Sequence, residues 1–232
     1  MVELILTCEH AGYQVPVAYR ELFVNATETL QSHRGWDPGV LELALIFEKW
    51  LAAPLISCTV TRLLVELNRS IGHRRLFSEF TSGLDSKQKQ TILQQYYFPY
   101  RERVEELIGE HIASGAVVVH LSLHTFVPVL NGVARTADVG LLYDPARPIE
   151  KELCRLWQQT IESRRPDLCV RLNYPYFGKS DGFTTYLRRR FAADCYAGIE
   201  LEVNQRWLEE PASWRRLGRD LVESLRGALA ML

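Results

Sequence analysis

The chain has 232 residues, with 27 Lys+Arg against 28 Asp+Glu and a formal net charge of −1. A nucleic-acid binder needs surplus Lys/Arg to displace counterions from phosphates, and a membrane-surface protein needs a similar basic excess; this chain has neither. At 47% hydrophobic and 24% charged, the composition is that of a globular protein that buries roughly 70% of its unfolded surface, and one domain over 1–232 is expected.

No apolar run reaches the ~18 residues of a membrane span, and Met1-Val2-Glu3-Leu4-Ile5-Leu6 lacks a basic n-region and a cleavage site. Cys8, Cys58, Cys154, Cys169 and Cys195 are odd in number, far apart and in no CxxC pair, as for reduced thiols, so a cytoplasmic location is expected.

In chain order, residues 4–8 read as a strand, 39–51 as a helix, and 55–60 and 63–67 as strands. Helical periodicity covers 87–114, followed by strands at 117–123 and 139–142 and a helix at 149–163. A strand at 169–172, a helix at 184–192, a strand at 198–203 and a helix at 213–231 complete the series. Apolar strands alternating with amphipathic helices predict an α/β fold: a mostly parallel (mixed) central sheet with helices on both faces.

Ligands of such sheets lie beyond the carboxyl ends of the strands. The first strand ends in Cys8-Glu9-His10-Ala11-Gly12, the next pair in Arg62 and Glu66-Leu67-Asn68-Arg69, and the central one in Ser122-Leu123-His124-Thr125. The last ends in Glu200-Leu201-Glu202-Val203-Asn204. Imidazole, carboxylate, amide and guanidinium groups thus converge on one edge.

His120 and His124 share a strand face but stand ~13 Å apart along it, too far to hold one ion together. His124, nearest the strand end, and His10 are the candidate metal ligands, and His120 reads as a satisfied interior histidine. Glu200 and Glu202 alternate with Ile199, Leu201 and Val203, so both carboxylates face one way. Buried there, they need a metal, an arginine or a catalytic water as partner, and a carboxylate beside a metal-bound water suits amide hydrolysis. Arg62, Arg69 and Arg135 could hold an anionic substrate through their planar forks. The run Arg188-Arg189-Arg190 reads as solvated helix surface. Asp37, ahead of Pro38-Gly39, fits a metal ligand or an N-terminal helix cap equally well, and Asp181 before Gly182 fits turn chemistry. Cys8 sits within an apolar strand and reads as a small hydrophobe.

These pieces, in order, resemble the N-formylglutamate amidohydrolases: Glu9-His10-Ala11-Gly12, Asp37, Arg62, Glu66-Leu67-Asn68-Arg69, His124-Thr125-Phe126, Arg135 with Asp138-Val139-Gly140-Leu141, Asn173-Tyr174-Pro175-Tyr176 and Gly198-Ile199-Glu200-Leu201-Glu202. That family is similar to the zinc carboxypeptidases and aspartoacylase. The resemblance implies a zinc-exopeptidase, phosphorylase/hydrolase-like scaffold and one zinc ion per chain on His10 and His124. It also implies Asn68 and Arg69 on the substrate carboxylate, assisted by Arg62 or Arg135, and Glu202 as general base. The implied partner is a small anionic N-acyl amino acid, hydrolysed in amino-acid catabolism: N-formylglutamate to formate and glutamate. Tyr13 stands where the carboxypeptidase pattern has a glutamate ligand, which leaves Asp37 or Glu9 to complete the metal site. A zinc deacylase or carboxypeptidase, and a metal-free carboxylate-binding protein on the same scaffold, are the rival expectations.

Overall fold

The computed structural model describes all of residues 1–232. Its strands are β1 (Val2–Cys8), β2 (Leu55–Ser57), β3 (Val117–Phe126), β4 (Val129–Leu130), β5 (Val133–Ala134), β6 (Val139–Leu142), β7 (Val170–Leu172) and β8 (Tyr196–Asn204). The α-helices are α1 (Thr27–Gln31), α2 (Val40–Leu51), α3 (Ser86–Ile92), α4 (Phe98–Ala113), α5 (Pro148–Arg164), α6 (Phe183–Arg190) and α7 (Pro211–Leu229). Six strands form the central sheet in the order β2-β1-β3-β8-β6-β7, while β4 and β5 make a separate small hairpin. β2, β1, β3 and β8 run parallel; β6 turns antiparallel to β8 and carries β7 parallel to itself. The mixed, mostly parallel sheet expected from the sequence is therefore present.

Helices cover both faces. On one, Leu43 and Phe47 of α2, Trp157 of α5, and Leu217 and Leu221 of α7 join Leu6, Leu121 and Leu201 in the larger apolar cluster. On the other, Ile92, Val104, Ile108 and Phe183 from α3, α4 and α6 meet Ile5, Val118 and Tyr196. Strand periodicity explains what happens further along this second face. Residues two apart point the same way, so the row begun by Ile5, Val118 and Tyr196 continues as Thr7, then His120, Ser122 and His124, then Glu200 and Glu202. One face of one sheet thus changes from hydrocarbon to polar groups towards the carboxyl ends of three parallel strands.

Two predicted elements differ. Residues 63–67 form a run of turns, with Leu64 N–H on the Thr61 carbonyl and Glu66 N–H on that of Leu76. Leu63, Leu64, Val65 and Leu67 are nonetheless buried, so the apolar run marks core rather than strand, two cases that periodicity alone cannot separate. Similarly, β2 stops at Ser57, and residues 58–60 pair with the segment after β1 instead. The helix expected over 87–114 is present but contains a π turn at Leu93–Tyr97. Pro99 follows it and has no N–H for the Gln95 carbonyl, a local defect that the wider turn accommodates. Arg188, expected on solvated surface, instead buries its side chain and donates to Glu150 and to the carbonyls of Gly178 and Gly198. No helix is long and apolar enough to cross a membrane.

Candidate active site

The end of one strand, the segment just after another and the turn before α2 bring the central groups together. His10 follows β1 directly, and its carbonyl accepts the Asp37 N–H at 3.1 Å, tying the strand end to the turn before α2. His124 lies near the end of β3. Asp37 stands between the imidazoles, its Oδ2 3.3 Å from His10 Nδ1 and 3.0 Å from His124 Nδ1. Ligand atoms of His10, Asp37 and His124 all lie within 4.8 Å of one another, and all three residues are buried. Asp37 does not cap α2: Gly39 occupies that position, with φ 79° and no side-chain bond. Glu9 lies outside the trio, and Tyr13 is exposed against Trp36.

The far ring nitrogens fix which way the imidazoles present themselves. Glu66 Oε1 lies 2.5 Å from His10 Nε2 and, being a carboxylate oxygen, takes its proton. Ser122 donates to Glu9 Oε2 at 2.7 Å, so its own oxygen is left to accept from His124 Nε2 at 2.9 Å. In their neutral forms, with the proton on Nε2, both imidazoles would turn an Nδ1 lone pair towards the Asp37 carboxylate. Three lone-pair donors aimed at one point repel unless positive charge sits among them. Burial works against protonating His124, yet hydrogen bonds and charge from Asp37 and Glu9 outweigh it and raise the imidazole well above its ordinary value. His10 is raised too: burial and Arg62 oppose its charge, and Glu66 and Asp37 overcome them. Two imidazoles, a carboxylate and orienting carboxylates behind the rings are a donor set that fits a tetrahedral divalent ion with one open position.

Glu202 pairs in register with His124 on the neighbouring strand. It is buried, and its Oε2 has no hydrogen-bond partner. Burial pushes its pKa up to about 8, with the charges of Asp37 and Glu200 adding to the effect and His124 and Arg62 opposing it. Glu200 is different: its Oε1 accepts from Thr184 of α6 at 2.6 Å.

Of the predicted anion-binding groups, Arg62 is already engaged, donating to Glu66 at 2.7 Å and to Asp37 at 3.1 Å. Its charge holds those two carboxylates ionised and in place, so it is a brace of the site. Asn68 accepts the Phe183 N–H at 2.6 Å, anchoring the start of α6, and its Nδ2 lies 3.5 Å from His124 Nε2. Arg69 donates to the Asp181 carbonyl, while the Asp181 carboxylate accepts from Ser70 N–H at 3.1 Å. Asp181 is therefore a latch between loops. His10, Asp37, His124, Asn68, Arg69 and Glu202 line one cavity of about 230 Å³. Arg135 is not among them. It lies in an adjoining cleft of about 580 Å³, donating to Tyr176 Oη at 3.2 Å.

Sequence reasoning missed the orienting roles of Glu66, Glu9 and Ser122, and it missed Tyr100, which donates to Glu9 at 3.1 Å. Ser122 was discoverable, two residues before His124 on the same strand face. Tyr100 was not, because only the packing of α4 brings it there.

A polar pocket with three converging donors at the carboxyl ends of parallel strands is an enzyme's arrangement in an α/β fold. A family model for N-formylglutamate amidohydrolase matches residues 2–208. The chain belongs to the N-formylglutamate amidohydrolase family, and is an amidohydrolase by that membership. A solved gene product of Agrobacterium tumefaciens is similar to it at 27% identity and a TM-score of 0.83, covering 99% of this chain and 91% of that one. The N-formylglutamate amidohydrolase of Ralstonia eutropha JMP134 shares the fold, at 20% identity and a TM-score of 0.71 over 99% of this chain and 94% of its own. No curated protein matches the sequence.

Proposed function

We propose that the protein hydrolyses the amide bond of an N-acyl acidic amino acid with the aid of a divalent ion, zinc by its donor set, and that N-formylglutamate, giving formate and glutamate, is the simplest substrate. The observation that carries this reading is the meeting of His10, Asp37 and His124 around one point, with the unpartnered Glu202 carboxylate lining the same cavity. An ion held there would polarise the amide carbonyl, lower the pKa of a water and favour the ionised form of Glu202.

The chain's own groups do the rest. Arg69 offers its fork to a substrate carboxylate, and Asn68 offers an amide N–H beside it. Glu202 takes a proton from the attacking water and delivers it to the amine nitrogen as the C–N bond breaks and the new C–O bond forms. Glu66 holds His10, Ser122 and Glu9 hold His124, and Arg62 holds Asp37. The cytoplasmic location expected from the scattered thiols belongs to the same proposal.

The test is to strip the protein with a chelator, reload it with zinc and assay glutamate released from N-formylglutamate. One bound zinc per chain, with activity lost on stripping and restored on reloading, supports the proposal. A protein that takes up no divalent ion yet still binds N-acylglutamate overturns it in favour of a carboxylate-binding protein on the same scaffold.

A further inference from the structure

We infer that the acyl group taken by this site reaches beyond formyl and ends in a carboxylate, so that the substrate class is an acidic amino acid N-acylated by a dicarboxylic acid. The inference rests on the reading just given, and deepens it. Arg69 and Asn68 line only the smaller cavity, whereas Asp37, Arg62, Arg75, Thr125 and Tyr176 line both it and the larger cleft. With the amino-acid carboxylate on Arg69 and the scissile carbonyl among His10, Asp37 and His124, whatever the carbonyl carries points across that shared boundary. A formyl group carries one hydrogen there and leaves about 580 Å³ unused. Rejecting longer acyl chains would need side chains filling that space.

The cleft's charges say what kind of chain fits. Arg34 is paired with Glu79, and Arg62 with Asp37 and Glu66. Arg74, Arg75 and Arg135 also line the cleft and have no carboxylate partner; Arg135 meets only the phenol of Tyr176 and nearby rings. Phe77, Phe126 and Leu130 add apolar wall. Hydrocarbon flanks with unpaired guanidinium forks suit a short methylene chain capped by a carboxylate.

The experiment compares N-glutarylglutamate with N-pentanoylglutamate, which differ chiefly in the terminal carboxylate, using N-formylglutamate as reference and zinc-loaded protein. The expected result is a kcat/KM at least ten-fold higher for the glutaryl compound at low ionic strength. The ratio should decline as salt screens the cleft's arginines, and should fall towards one in the double variant Arg74→Gln/Arg135→Gln, which removes the unpaired guanidinium groups confined to the larger cleft. Equal rates for the two long substrates alongside turnover of N-formylglutamate overturn the inference and leave the proposed function standing. A preference that survives the double substitution overturns the assignment to these arginines. Failure to hydrolyse any of the three compounds overturns the proposed function and the inference with it.

Discussion

At Glu202 a carboxylate oxygen is sealed from solvent with no donor facing it, one strand away from His124. If the group moves the proton, Glu202→Gln removes the base while keeping shape and hydrogen-bonding capacity. Steady-state kinetics should show kcat falling by about 10²–10⁴-fold, while metal analysis still finds one zinc per chain. Near-normal turnover would remove Glu202 from the mechanism. Glu66 offers a complementary case, since it touches His10 at the nitrogen that faces away from Asp37. Glu66→Gln should weaken zinc binding by about 10–100-fold, measured by competition with a chromophoric chelator. The residues were unequally legible in the sequence. The placement of His10 and His124 could be read because strand ends assign an edge; alternation put Glu200 and Glu202 on one face alike, and only the family resemblance singled out Glu202. Asp37 could not be distinguished from a cap, since Asp-Pro-Gly before a helix serves both uses. What separates them is the left-handed Gly39, which turns the chain so that Asp37 points back at the histidines.

Among the elements, β3 carries its chemistry in a row. His120 lies deepest, with Thr7 Oγ1 on Nε2 and Tyr196 Oη on Nδ1, each at 2.8 Å. Burial pushes its pKa down to about 4, helped by the charges of Arg188 and His124 and opposed by Glu9. An unfolded chain protonates this imidazole near pH 6.5. Between those values the unfolded state binds a proton that the folded state refuses, so stability is full above pH 6.5 and drains as pH falls towards 4. The loss amounts to roughly 3 kcal/mol from this group. Buried Glu202 contributes with the opposite sign over the same range, so the His120 loss should be read in urea unfolding at pH 7, 6 and 5 as the difference between the wild type and His120→Gln, the Glu202 contribution being common to both. The π turn makes a second connection, because the helix it interrupts reaches three times into the site's framework. Tyr97 donates to the Arg69 carbonyl at 2.7 Å, Tyr100 to Glu9 and Arg101 to the Leu67 carbonyl at 2.9 Å. Tyr100→Phe should cost about 1–3 kcal/mol in urea or thermal unfolding, because a buried carboxylate loses a donor. Long periodic helices and valine-rich strands were legible here. The 63–67 run was misread because its apolar residues fill a core from turns, which has no period of its own.

For the whole molecule, a divalent ion bound by residues from three distant parts of the chain binds the folded state alone. Zinc at a hundred times its dissociation constant should add about 2.7 kcal/mol. For a chain of this length that is a rise in Tm of roughly 5–10 °C, read by scanning calorimetry with and without zinc. An unchanged Tm at saturating zinc would contradict a folded-state metal site. The alternation of strands and helices predicted the layered architecture, but nothing local told of the reversal between β8 and β6. That reversal depends on long-range pairing, and it sends the chain back so that Arg135 and the segment bearing Tyr176 flank the pocket.

Gly140 of β6 faces the carbonyl oxygen of Tyr174, with the Glu202 side chain close by. A methyl group there would overlap that oxygen and lie 3.4 Å from Glu202 Cβ. The backbone leading to Tyr176 therefore packs against an interior strand only because that strand is bare at this point, and a single added methyl would have to displace the pocket's wall without altering the chemistry of any of its polar groups.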